Sequence, residues 1–128
     1  MAFTTFLQNE VLDHVFRNTA YTPPSTVYIG LYTSATGTDG TTGTEVLGNG
    51  YQRKAMAFGA SVSGAIDNTV AVEFPTATGS WGTVTHTAVL DEVTGGNMLA
   101  ENELTASKAI GSGDVFRFQA GEFDITLT

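Results

Sequence analysis

Apolar residues along this chain recur with two different periods. In TTFLQNEVLDHVFRN, Leu7, Val11 and Val15 return every four positions, and Phe6, Leu12 and Phe16 widen the stripe. That spacing marks an amphipathic helix. Thr5 and Gln8 stand three apart ahead of the stripe, as in a capping box, where the hydroxyl accepts from a backbone N–H and the amide reaches back. Arg17 suits the negative end of a helix and Asn18 suits its stop. The pattern predicts one short helix over about residues 5–17, burying Leu7, Val11 and Val15 on the domain or on a neighbouring subunit.

After the turn signal YTPPS the period falls to two. Val27, Ile29 and Leu31 oppose Tyr28, Gly30 and Tyr32, so both faces of this strand carry side chains worth burying. The same alternation marks YQRKAMAF, NTVAVEF with Val70, Val72 and Phe74 on one side, and GTVTHTAVLD with Val84, His86, Ala88 and Leu90 on one side. VTGGN joins Ala88–Leu90 to Met98–Leu104 as a hairpin, and GSGD closes another before VFRFQ. FDITLT alternates up to Thr128. Short strands separated by turn signals, with no helices alternating between them, predict a mainly β domain: an antiparallel, jelly-roll-like β-sandwich with one N-terminal helix, spanning residues 1–128.

The composition fits one folded domain. The chain has 128 residues, 41% of them hydrophobic and 14% charged, far from the low-hydrophobicity, high-charge balance of disordered chains. It has no cysteine, which excludes disulfides, thiolate catalysis and cysteine-ligated metals. The first residues lack the basic start and apolar core of a secretion signal, and no run approaches the roughly 18 apolar residues of a membrane span. Synthesis in a cytoplasm is expected. A formal charge of −8 opposes contact with nucleic-acid phosphates and with anionic membranes.

One stretch breaks the alternation. Between Ser34 and Gly50 lie five glycines and five threonines in seventeen residues. It is not a phosphate loop, because no Lys-Ser/Thr follows and Gly50 leads into a strand pattern. Asp39 and Glu45 do not have the spacing of a calcium-binding EF-hand loop. A long loop in a small domain suggests recognition, and the expectation here is an assembly arm lying on another subunit. Its tip carries Thr38, Asp39, Thr41 and Thr42, and its far end is anchored where Glu45 and Arg53 pair across a glycine turn. As a surface ion pair that contact is worth about 0–1 kcal/mol. Shortening the loop is then expected to weaken assembly and leave the domain folded.

No reaction is announced elsewhere. His14 reads as a solvated helix residue and His86 as a hydrogen-bonded core or interface side chain, and neither has a partner at ligand spacing. No serine sits in a G-x-S-x-G elbow. Asp91/Glu92 and Glu101/Glu103 suggest an acid–base pair only by adjacency, since i, i+1 strand neighbours such as Asp91 and Glu92 diverge, and an i, i+2 pair such as Glu101 and Glu103 reads as a solvated face. A non-enzyme without cofactor or metal is expected. Tyr21, Tyr28, Tyr32, Tyr51 and Trp81 remain as rigid aromatics suited to an interface or, as a lesser alternative, to the stacking platform of a carbohydrate-binding module.

The order of segments adds a resemblance over essentially the whole chain. FLQNEVLDHVFRN, the YIGL strand from Tyr28 to Leu31, the glycine/threonine loop, EVLGNGYQR from Glu45 to Arg53, and FPTATGSWGTVTH from Phe74 to His86 together resemble a family of small virion proteins of tailed bacteriophages. The resemblance implies a virion structural protein and brings no catalytic residues. Its members are described as head-decoration, tail-fibre-like or minor structural proteins. The expectation is a capsid decoration or cement protein that binds the major capsid protein as a trimer, with a tail, collar or fibre subunit as the alternative.

Overall fold

A computed structural model describes residues 1–127; Thr128, where the last sequence alternation ends, lies outside the described residues. Strand β1 (Ala2–Phe3) leads into helix α1 (Thr5–Phe16), followed by β2 (Val27–Tyr32), β3 (Lys54–Met56), β4 (Ala65–Asp67), β5 (Val72–Glu73), β6 (Gly82–Leu90), β7 (Met98–Ile110), β8 (Arg117–Phe118) and β9 (Asp124–Thr126). The helix begins one residue earlier than the capping-box reading requires. Thr4 is the N-cap: its Oγ1 accepts from the Leu7 amide at 3.4 Å while donating to the Met98 carbonyl at 2.6 Å. The cap therefore also pins the helix to β7, and Gln8 plays no part in it. The stop is as expected. Asn18 takes a positive φ of 53°, and the Arg17 and Thr19 amides close on the Asp13 carbonyl.

Five strands form one antiparallel sheet in the order β1-β7-β6-β2-β3, with β6 and β7 as its central hairpin. Two separate ribbons, β4–β9 and β5–β8, supply the second layer. The layers form a β-sandwich whose second layer is split into two ribbons. Its core joins Ile29, Leu31, Val84, Val89 and Leu99 of the sheet to Val72, Phe74, Phe116 and Phe123 from the ribbon side. Phe74, Phe116, Phe118 and Phe123 meet edge to face in succession, with centroids 5.2–5.9 Å apart, the arrangement that aromatic quadrupoles favour.

The strands differ from the sequence pattern where pairing overrides alternation. A register shift between Val84 and His86 puts Val84 in the core with Val89, on the opposite parity; the single face of Val84, His86, Ala88 and Leu90 does not exist. The extra residues of the bulge lie in β7, between Glu103 and Lys108. Val70 is exposed although Val72 and Phe74 are buried. YQRKAMAF yields only the three-residue β3, since Tyr51 and Arg53 are committed to side-chain bonds. Strand β4, in the glycine-flanked GAIDN, had no signal strong enough to read.

The sheet is buried on its second face as well. There Tyr32, Ala88, Leu90 and Met98 form a separate apolar cluster, and the Ser34–Gly50 stretch closes over it. Thr36, fully buried, donates from Oγ1 to Glu101 Oε2 at 3.0 Å, and the Thr38 carbonyl accepts from the Thr5 amide at 2.9 Å. A Cβ on Gly40 would stand 3.7 Å from the Met98 Cβ. The loop is thus fastened to α1 and β7 of its own domain, where the sequence pattern led us to expect an arm lying on another subunit.

The lid predicts the opposite of the sequence expectation for loop shortening. Replacing residues 35–43 by a tight turn uncovers Tyr32, Leu90 and Met98, each worth roughly 1.5–3 kcal/mol when fully buried. Shorter loop closure returns only a few tenths of that. A loss of about 3 kcal/mol in equilibrium urea unfolding is expected, and unchanged stability would show that the lid contributes nothing.

Candidate functional site

The residues singled out by sequence converge at the end of this lid. Thr33 and Thr44 pair backbone to backbone, Tyr32 bridges Glu45, and the Val46 amide reaches the Leu31 carbonyl at 2.9 Å. Glu45 is thereby aimed back under the loop. Arg53 meets it side-on, with Nε donating to Oε2 and Nη2 to Oε1, both at 2.8 Å. Its Nη1 donates to the carbonyls of Glu92 and Gly95 at 2.8 and 2.9 Å in the β6–β7 turn. Tyr51 donates to Glu45 Oε2 at 2.6 Å and accepts from the Leu31 amide at 3.0 Å. One guanidinium fixes the loop end, the hairpin turn and the start of the third sheet strand.

This is not a solvated surface pair. The Arg53 side chain is 9% exposed and that of Glu45 24%, so partial burial strengthens both the attraction and the demand for partners. Burial raises the Tyr51 hydroxyl pKa well beyond the usual tyrosine range, helped by its hydrogen bond to the Glu45 carboxylate. Burial, then the negative charge of Glu45, pushes Tyr32 up to about 12. The bond to Glu45 holds Arg53 more firmly protonated.

The neighbouring GNG turn is equally committed. The Asn49 carbonyl accepts from Trp81 Nε1 and from the Thr78 amide, and its Nδ2 donates to the Ser80 carbonyl. A Cβ on Gly50, at φ 82°, would press to 3.2 Å from the Thr76 carbonyl oxygen. Tyr51 lies between Phe74 and Trp81, stacked on the first and edge-on to the second. EVLGNGYQR and FPTATGSWG therefore dock on each other, and their shared residues are a structural hub.

The remaining candidates separate into two groups. Thr38, Asp39, Thr41 and Thr42 are exposed at the loop tip, where the Asp39 carboxylate accepts from the Thr41 and Thr42 amides at 2.9 Å. The Thr42 hydroxyl, which also donates to this carboxylate, and then the two amides lower the Asp39 pKa to about 2. Val11 and Val15 lie apart on α1: Val11 is half-buried and Val15 is exposed, so the expected burial of Val15 on its own domain does not occur. Trp81 and Tyr32 are buried and Tyr28 and Tyr51 are half-buried, so Trp81, Tyr32 and Tyr51 offer no open stacking platform to a sugar. Asp91 closes the β6–β7 turn through Asn97, and Glu101 receives Thr36. His86 Nδ1 sits 2.8 Å from Thr85 Oγ1, and His14 Nδ1 accepts from the Tyr21 amide. The Arg53 bonds to the β6–β7 turn were not legible in sequence; Glu92 and the GG pair gave no sign that their backbone would serve as acceptors.

A family model described as podophage GP4 fiber I protein gp80 matches residues 2–126. The chain belongs to this family. It is a phage structural protein, as the sequence resemblance implied, and the match runs through helix, lid and hub alike. No curated protein matches the chain. Of the segments that carried the resemblance, EVLGNGYQR and FPTATGSWG brace the domain internally.

Two outcomes test the hub. Arg53→Lys keeps a positive charge but cannot bind both Glu45 oxygens and two carbonyls at once; a loss of about 2–3 kcal/mol in urea unfolding is expected, against the near-zero effect of a surface pair. At high pH the raised tyrosines make the folded state hold protons that the unfolded chain releases. Their stabilisation is complete below about pH 10 and declines as pH rises toward about 12 for Tyr32, at up to about 1.4 kcal/mol per pH unit for each proton. Tyr51→Phe lowers stability at neutral pH and flattens that decline; an equally steep alkaline melting curve in the variant would refute the assignment.

Proposed function

We propose that this chain is a non-enzymatic attachment subunit of the phage fibre apparatus, a rigid β domain that binds other virion subunits. The observation that carries this reading is the fiber I family match across residues 2–126, which supports a fibre role for the β domain. The geometry supports a binding role. Polar side chains suited to chemistry, namely Glu45, Tyr51, Arg53, Asp91 and Glu101, are engaged in bonds that brace loops.

The hub also fixes a surface fit for attachment. A cleft of about 430 Å³ lies over Tyr51 and Arg53, bounded by Val46, Leu47 and Val93. Leu47 is 91% exposed on a segment held at both ends by Val46 and the GNG turn. An apolar side chain presented on braced backbone loses little entropy on docking. This face is the proposed contact with other virion subunits.

Fractionated particles test the location. The fibre reading expects the chain in tailed particles and in detached fibre complexes, and its absence from tail-less heads. Hundreds of copies on tail-less heads would favour capsid decoration and sink the fibre reading. Leu47→Asp, which touches no core residue, should release the protein from particles in a co-sedimentation titration without changing its melting temperature; undiminished binding would remove this face from the proposal.

A further inference from the structure

The GNG turn carries a reaction that the hub holds in check. Asn49 precedes Gly50, and no other asparagine of the chain precedes a glycine. Of the six asparagines this is the one most open to deamidation, because glycine sets no Cβ beside the backbone nitrogen that must attack. In that reaction the Gly50 nitrogen bonds to Asn49 Cγ, the Cγ–Nδ2 bond breaks, and ammonia leaves with the proton that the nitrogen gave up. Water then opens the five-membered succinimide at either carbonyl, leaving aspartate or isoaspartate. Asn49 is exposed, so water reaches it and geometry alone opposes the reaction.

The backbone opposes it first. Asn49 and Gly50 have φ of 52° and 82°, and the Tyr51 amide donates to the Gly48 carbonyl at 3.0 Å. Positive φ at both central residues makes this a type I′ turn, in which ψ of the first is about 30°. The ring closes only when the C–N bond eclipses the Cα–Cβ bond, and at that ψ the two point in nearly opposite directions. The turn must therefore open before Gly50 can reach Cγ. Opening it costs the two bonds on the Asn49 carbonyl, from Trp81 Nε1 at 2.9 Å and from the Thr78 amide at 3.0 Å. Trp81 is buried, and a buried donor left without an acceptor is expensive.

The side chain is held as well. Its Nδ2, the leaving group, donates to the Ser80 carbonyl at 2.9 Å. A Cβ on Gly79 would stand 2.8 Å from Cγ, 2.8 Å from Oδ1 and 3.1 Å from Nδ2. A point so nearly equidistant from the three atoms lies over the plane of the carboxamide, so Gly79 covers one face of the carbon under attack.

We propose that Asn49 is a latent deamidation site, inert while the hub is folded and reactive once the GNG turn opens. The product makes the opening permanent. Aspartate cannot donate to the Ser80 carbonyl and turns an acceptor toward another acceptor, and isoaspartate adds a carbon to the backbone inside the turn. This goes beyond the attachment reading and does not rest on it.

The full chain tests this in mildly alkaline buffer, folded and in urea beyond its unfolding midpoint, with aspartate and isoaspartate at position 49 followed by peptide mapping. The peptide LGNGYQ in both buffers corrects for any effect of urea on the chemistry. Reaction passes through the open turn and tracks its population, so the folded chain is expected to react at least about tenfold more slowly than the unfolded one. Gly79→Ala displaces the carboxamide and should speed the folded reaction about threefold or more, compared at equal distances below each melting temperature. Gly111→Ala, whose Cβ meets nothing closer than 3.7 Å, should leave it unchanged. A folded chain that deamidates as fast as the unfolded one, an unfolded chain that stays intact at Asn49, or a folded rate indifferent to Gly79→Ala would each overturn the proposal.

Discussion

The Arg53 guanidinium is the contact on which the rest of the structure depends. It reaches the loop end through Glu45 and the central hairpin turn through two backbone carbonyls, and so joins three pieces of chain. Planarity is what allows this: one rigid fork holds a carboxylate edge-on while its remaining N–H groups point elsewhere. Tyr51 adds the end of β2 by accepting from the Leu31 amide. Because Glu45 also bridges Tyr32, the pair sets where the glycine-rich loop ends and hence where it can lie.

That position explains how so small a domain buries both faces of its sheet. The ribbons cover one face and the lid covers the other, over Tyr32, Ala88, Leu90 and Met98. Glycine is needed in the lid because the two halves of the loop pass close to each other: at φ 99°, a Cβ on Gly43 would meet the Thr36 backbone at 3.0 Å. Threonine serves a different need, tying the lid down through its hydroxyls, as Thr36 does to Glu101. A stretch that reads as flexible by composition is thereby held by specific short bonds.

Much of this architecture was legible in the alternation of the chain. Ile29 and Leu31 against Tyr28 and Tyr32 announced a strand buried on both sides, and VTGGN announced the central hairpin. What escaped were features decided by partners distant in sequence. The bulge opposite Thr85 moves Val84 into the core, and nothing in TVTH signals it because threonine and valine suit either face. The helix was read with Leu7, Val11 and Val15 as its inward stripe, yet the Thr4 hydroxyl bond to Met98 fixes the rotation so that Phe6 and Leu7 face in. Glu45 and Arg53 were paired correctly from sequence, but their burial was not, since burial comes from the hairpin turn some forty residues away.

The helix rotation carries a wider argument about where specificity resides in this protein. A short helix gains most of its stability from tertiary packing of one face, and α1 takes that packing from two residues near its capped end. The second half then has no structural reason to keep leucine, valine and phenylalanine exposed, because alanine, glutamate or lysine there would favour the helix at least as well and keep it soluble. Folding does not explain these apolar residues at solvent positions, with the charges segregated to the other side of the helix. The hub and the lid make the domain rigid, and rigidity lets such a helix present its outer face in a fixed direction.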